Sequence, residues 1–326
     1  MKILVTGGTG FIGSALVRRL VREGHDVRVL DNDLRGRAGR LESVADKIKL
    51  ITGDARDEDV FTAAAEGCDL IMHLAALNGT ENFYNRSQLV LDVGVRTMLA
   101  AMRACERANV RQMIVASSAE AYQTPPVVPT PEDVPLVVPD PYQARYSYAA
   151  SKLISEVLTV NFGREHLDRS IIFRPHNVYG PDMGWEHVIP QFALRAHDLA
   201  QSNPSGPLAF PIQGDGSQTR AFVHVDDLVD GLILLVNKGE HMQTYHIGTQ
   251  DEISIRDLAM KVIENFGRTG QIEKGPAAAG GTDRRCPDIS KMRKLGYNPR
   301  ISIDEGVKDT VTWYAANVGR RPKATS

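Results

Sequence analysis

The chain has 326 residues, 42% of them hydrophobic, with a formal charge of −2 at pH 7 and three cysteines. That length suggests two packed units rather than one, and a near-neutral charge with no long basic run argues against nucleic acid as a partner. Cys68, Cys105 and Cys286 are odd in number and far apart, with no Cys/His group at zinc spacing, so neither a disulfide frame nor a metal site is expected.

In chain order, Lys2-Ile-Leu-Val-Thr-Gly-Gly-Thr-Gly-Phe-Ile-Gly13 places a short β-run, a glycine turn and a helix start in succession. Gly7 permits the tight turn, Gly10 lets backbone approach a pyrophosphate, and Gly13 lets helix pack closely on strand. Phe11 and Ile12 open a helix whose N-terminus takes the phosphates. Val27 to Asp31 reads as a second strand, ending in an acid 18 residues after Gly13, the position for a carboxylate on an adenosine ribose. Such an acid repels a 2′-phosphate, so NAD is expected over NADP, a preference that the nearby Arg35 and Arg37 moderate. A strand pattern from residue 2 leaves no room for a signal peptide, and no apolar run approaches ~18 residues. A soluble, cytoplasmic protein without a membrane partner is expected.

Ile48 to Ile51 and Asp69 to His73 read as further short strands, each after a helical or polar segment. This alternation predicts an α/β fold of Rossmann type, with a doubly wound parallel sheet. Leu91, Val95, Met98, Leu99, Met102 and Cys105 form a helical stripe within residues 84–108, followed by a strand over Gln112 to Ser117. Prolines 125, 126, 129, 131, 135, 139 and 141 forbid helix or central strand and predict an ordered loop beside the site. A helix over Ser147 to Glu165 and a strand over Ser170 to Phe173 come next. Beyond Pro175 the alternation fails, and Gly/Pro-rich stretches (203–216 and 275–281) separate short helices. Residues 1–174, rejoined by about 223–247 (helix Val225 to Val236, strand Thr244 to Ile247), are expected to form the cofactor domain. About 175–222 with 248–326 are expected to form a smaller C-terminal α/β domain for substrate.

Tyr148-Ala-Ala-Ser-Lys152 carries the strongest catalytic signal, since a four-residue helical spacing stacks phenol and ammonium on one face. A free phenol, with a pKa near ~10, is a poor base at neutral pH. A lysine cation and an oxidised nicotinamide beside it stabilise the phenolate, which then takes a proton from a substrate alcohol. Lys152 also serves the nicotinamide ribose. Ser118, with Ser117 as fallback, ends a sheet strand where open α/β folds gather ligands, and its hydroxyl suits both the substrate oxygen and Tyr148. Glu120, two positions on, suits general acid/base work toward a carbon acid. His176, His187 and His224 lack metal-ligand spacing and read as wall or structural histidines. Trp185 suits either a nucleobase or the packing of its loop.

Together these residues resemble the extended short-chain dehydrogenase/reductase family, specifically its nucleotide-sugar epimerases and dehydratases. GGTGFIG, His73-Leu-Ala-Ala76, Ser117-Ser-Ala-Glu-Ala-Tyr122, the Tyr148 to Lys152 motif and Arg174-Pro-His-Asn-Val-Tyr-Gly-Pro181 fall in the family's order over nearly the whole chain. The resemblance implies that Asn177 binds the phosphate side of a sugar nucleotide and that Arg220 and Arg285 meet its diphosphate. It also implies that Asp54 meets the adenine, and that Ala55, Leu74, Ala75 and Ala76 line the cofactor. Members oxidise a hexose C4 hydroxyl with a resident NAD, act on the 4-keto sugar, and return the hydride. Its 4,6-dehydratases commonly carry Asp-Glu or Ser-Glu where this chain has Ala119-Glu120. Simple 4-epimerases do not need the glutamate, and a 3,5-epimerase acting on GDP-mannose has a cysteine there with a similar Arg-x-His-Asn-x-Tyr-Gly-Pro motif. The resemblance therefore implies an epimerase first and a dehydratase second, with a keto-sugar reductase or a non-catalytic NAD-binding regulator as further alternatives. It also implies a homodimer through the long helices of residues 84–108 and 147–165.

Overall fold

A computed structural model describes residues 1–276 and 282–321. Six strands, β1 (Lys2–Thr6), β2 (Asp26–Asp31), β3 (Ile48–Thr52), β4 (Leu70–His73), β5 (Gln112–Ala116) and β6 (Arg169–Pro175), join the later strand Gln243–Ile247 in one sheet. Every pairing in it is parallel, and the order is β3-β2-β1-β4-β5-β6 followed by 243–247. This is the doubly wound Rossmann arrangement expected from the alternation. Helices α1 (Phe11–Arg22), α2 (Glu58–Ala65), α3 (Thr80–Asn85), α4 (Ser87–Arg107) and α5 (Ser147–His166) supply crossovers, and a 3₁₀ helix (Ala38–Lys47) joins β2 to β3. The strands' apolar side chains divide between two cores, one on each face of the sheet. Val5, Val29, Met72 and Ile114 pack with α1 and helix Val225–Lys238, whereas Leu4, Ile71, Met113 and Val115 pack with α2 and α4. A third core lies among helices Val188–Ser202, Ile255–Glu264 and Ile303–Ala316.

The helix expected over residues 84–108 is two helices, because Arg86 leaves helical backbone at φ −138°, ψ 34°. Its apolar stripe is only partly core. Met98 and Cys105 are buried, Leu91, Val95 and Met102 are half-buried, and Leu99 is 42% exposed. α5 is inverted in the same sense. Tyr148, Ser151, Lys152, Ser155, Glu156 and Thr159 are buried, while Ile154 and Val157 face outward. Ser151, Ser155 and Thr159 donate to backbone carbonyls three or four residues earlier in α5, which satisfies their hydroxyls in that buried position. The Gly/Pro-rich stretch 203–216 contains a strand, Leu208–Ile212, paired parallel to Gly270–Lys274. Residues 277–281 of the second such stretch lie outside the described residues. The three cysteines are buried free thiols. Among the described residues no helix is long and apolar enough to cross a membrane.

Candidate active site

The C-terminal ends of the parallel strands open onto a cleft of about 740 Å³. The glycine turn forms one wall. Gly7 holds φ +72°, and a Cβ there would lie 2.9 Å from the Ala75 nitrogen, so only glycine fits between β1 and the chain leaving β4. A Cβ on Gly13 would overlap the Gly7 carbonyl, and its absence lets α1 start against the turn. Gly10 caps α1 without a side chain, and no acid stands in the first turn, so the amide groups there face the cleft ready for an anion. Asp31 closes this wall. Its carboxylate accepts from the Thr9 nitrogen at 2.9 Å and the Asp33 nitrogen at 2.9 Å, which fixes it at the cleft rim. Leu74, Ala75, Ala76, Asp54 and Ala55 line the same cleft. The Asp54 carboxyl is held below its usual range, first by hydrogen bonding to Arg56, which also pairs with Asp92 at 2.6 Å. A glycine cradle, a helix N-terminus and a rim carboxylate are the features a dinucleotide needs, and the residues present fit it.

Opposite stand the catalytic candidates. Tyr148 and Lys152 both line the cleft from one face of α5. Burial pushes the Tyr148 phenol well above its usual value, and a hydrogen bond from Ser118 only partly offsets this. The Lys152 ammonium lies 5.7 Å from the Tyr148 ring centroid and donates to the Ala116 carbonyl at 2.7 Å. Burial lowers its pKa to about 8, against the opposing pull of Glu156. Ser118 caps a 3₁₀ turn (Ala119–Tyr122), accepting from the Glu120 nitrogen at 3.1 Å. The Ser117 hydroxyl is committed instead to Glu156. Between the two serines, Ser118 is the one that bears on the Tyr148 phenol.

Glu120 forms an ion pair with Arg285, 165 residues away. Burial pushes the Glu120 carboxyl up, but Arg285, with Arg145 and Arg220 beyond it, outweighs burial and holds it below its ordinary range. Arg220 and Arg285 are register partners on the paired strands Thr219–Ala221 and Arg284–Arg285. Arg285 lines the cleft together with Asn177, whose amide also donates to the Ala221 carbonyl at 3.0 Å. The Arg220 guanidinium instead donates to the carbonyls of Thr219, Thr282 and Asp283, and burial lowers its pKa to about 10. His187 and Trp185 line the cleft, and Trp185 also packs edge-on against Tyr314 at 4.9 Å. His176 lies behind the wall, buried edge-on to His246 at 4.6 Å, and His224 caps the helix that follows it.

Two features escaped the sequence reading. A clasp crosses the cleft, in which Arg35 pairs with Glu186, Arg37 with Asp182, and Arg40 with Asp182 at 2.9 Å and its carbonyl at 2.7 Å. Behind the site, Arg174 grips Glu156 through two hydrogen bonds of 2.8 and 2.6 Å. The partners of the clasp lie more than a hundred residues apart, so spacing gave no signal for it. The Glu156 position, four residues after Lys152 on the same helical face, was a readable signal. Among the described residues no group of three or more His, Cys, Asp or Glu side chains is placed to hold a metal ion.

The profile of the NAD dependent epimerase/dehydratase family matches residues 3–248. The UDP-glucose 4-epimerase of Mycolicibacterium smegmatis is 33% identical, across 96% of this chain and 98% of its own. A UDP-N-acetyl-α-D-glucosaminuronate decarboxylase of Bacillus cytotoxicus is 30% identical, across 96% and 97%. Among solved structures, the dTDP-glucose 4,6-dehydratase of Streptomyces venezuelae, crystallised with NAD, superposes with a TM-score of 0.85 at 30% identity, covering 98% of each chain. With its glycine cradle, its Tyr148 to Lys152 pair and a family match over most of its length, the chain belongs to the NAD-dependent epimerase/dehydratase family, whose cofactor is NAD.

Proposed function

We propose that the protein is a nucleotide-sugar epimerase working through a transient 4-keto hexose. The observation that carries this reading is the meeting of Ser118, Tyr148 and Lys152 on the cleft that the glycine turn opens. Bound NAD supplies a reversible two-electron acceptor. Tyr148 takes the proton of the substrate C4 hydroxyl, Ser118 holds that oxygen, and the charged Lys152 steadies the phenolate. Because burial keeps the phenol protonated on its own, the base forms only with positive charge close by. Glu120, kept ionised by Arg285, suits removal of a C3 or C5 hydrogen, which a C4 ketone makes acidic. Ala119 puts no proton donor beside it for a leaving hydroxyl, which favours epimerisation over elimination. Elimination to a 4-keto-6-deoxy sugar is the second reading, supported by the same glutamate. Asn177 and Arg285 hold the diphosphate from the cleft wall, with Arg220 backing Arg285.

The chain divides into a cofactor domain (1–174 with about 223–247) and a substrate domain. It works in the cytoplasm as a homodimer through the outward apolar faces of α4 and α5.

Incubation with UDP-, GDP-, CDP- and dTDP-hexoses and a nucleotide-linked uronic acid in deuterated water, followed by NMR, tests this reading. Inversion supports it, and deuterium at C3 or C5 assigns the step to Glu120. A new 6-methyl signal favours elimination, and loss of carbon dioxide overturns epimerisation. Tyr148→Phe should lower turnover at least ~10²-fold with NAD still bound, as expected on losing a general base. Normal activity in that variant would remove Tyr148 from the mechanism. The ultraviolet spectrum of denatured protein should show the cofactor already present, whereas a reductase would exchange NADPH.

A further inference from the structure

The inner face of α5 carries one acid that the proposed reaction leaves without a part. Glu156 and its partner Arg174 are each only 5% exposed. Glu156 follows Lys152 by four residues and Tyr148 by eight, so all three share a helical face. The Ser117 hydroxyl donates to one Glu156 oxygen, and Arg174 donates to both. Just before Ser117, the Ala116 carbonyl accepts from Lys152 at 2.7 Å. Two side chains of α5, one turn apart, thus grip two successive residues where β5 runs into Ser118 and Glu120. Arg174 reaches on to the Tyr122 hydroxyl, which pairs with His246 at 2.6 Å, so the far end of the turn carrying Glu120 is tied down as well.

We propose that Glu156 is a positioning residue of the site: its carboxylate keeps the Lys152 head group charged and holds α5 in register with the end of β5. The inference rests on the function proposed above. The groups facing Lys152 are Glu156 and Tyr148 from α5 and His73 from β4, while Arg174 faces Glu156 from β6 and Glu120 faces Tyr148 from its turn. Burial holds the His73 imidazole down at about 3 and the Tyr148 phenol protonated. Of the three that face Lys152, Glu156 is the one held in an ion pair, by Arg174. Without it, burial acts unopposed and the ammonium loses its proton at lower pH.

Glu156→Gln keeps the shape and removes the charge. The titration of Lys152 is followed by NMR of protein with isotope-labelled lysine side chains, its signal assigned by loss in Lys152→Met. In Glu156→Gln the Lys152 pKa should fall by about half a pH unit or more, as expected on losing a nearby opposite charge. The alkaline limb of kcat should move the same way, with KM and NAD content little changed. Glu156→Asp, which restores the charge, should bring the titration back. An unchanged Lys152 titration in a folded Glu156→Gln protein overturns the proposal. If the single variant does not fold, Glu156→Gln with Arg174→Gln leaves no lone buried ion and decides by the same titration, measured against Arg174→Gln alone so that the difference is due to the Glu156 charge. A wild-type protein that turned over no sugar nucleotide would sink the proposed reaction, and the lysine titration would still decide the part of Glu156.

Discussion

Burial alone would lift the Glu120 carboxyl above its ordinary range, and the guanidinium of Arg285 reverses the sign. Arg285→Met leaves burial opposed only by the more distant Arg145 and Arg220. The acid limb of the pH–rate profile should therefore rise toward neutrality, so that activity at pH 5 falls far more than activity at pH 8. KM should also rise, because Arg285 lines the cleft. An acid limb that stayed in place would mean that Glu120 takes no proton in the reaction. Lys152 carries the opposite burden. Its pKa drops from 10.5 to about 8 on folding, so between those values the unfolded chain holds the extra proton and stability rises with pH. Below pH 8 the full penalty is present, on the order of 3 kcal/mol. Lys152→Met should accordingly melt above wild type at pH 7, and the gap should close as pH approaches 10, in thermal melts of both proteins across that range.

At the scale of elements, the strands of the sheet and the helices α1 and α5 were legible, because apolar runs, the glycine turn and the stacked Tyr148 and Lys152 are local signals. Arg86 was not, since nothing in its neighbours forbids helix, and the break splits α3 from α4. Nor was the use of arginines legible. Arg35, Arg37 and Arg285 read as scattered surface charges or phosphate ligands, yet each meets an acid brought to it by tertiary contact. For Arg35 and Arg37 this bears on the cofactor, because guanidiniums already paired with Glu186 and Asp182 are less available to a 2′-phosphate. The clasp also bridges the segment after β2 and the loop after Gly180, above the cleft. Asp182→Asn removes the partner of both Arg37 and Arg40, and partly exposed pairs of this kind contribute up to about 1 kcal/mol each. NAD release, followed by rapid dilution into a trapping solution, should speed up roughly three- to tenfold in this variant. Wild-type release should quicken with salt, since such pairs are screened. A rate indifferent to both changes would show that the clasp does not retain the cofactor.

At the scale of the whole molecule, α4 and α5 expose apolar side chains, Leu99 on one helix and Ile154 and Val157 on the other, with Leu91 and Val95 half-buried beside them and Val157 54% exposed. Exposed apolar side chains on adjacent helices suit a second copy related by a two-fold axis. Light scattering on a sizing column should give twice the chain mass for wild type and a single chain mass for Val157→Asp. A monomeric wild type would mean these side chains are left to solvent. α5 thereby faces two ways, with Tyr148 and Lys152 toward the sheet and Ile154 and Val157 exposed on the outer side. If a second copy stiffens that helix, the turnover number belongs to the pair, and serial dilution in an assay tube should make each molecule slower once solitary copies predominate.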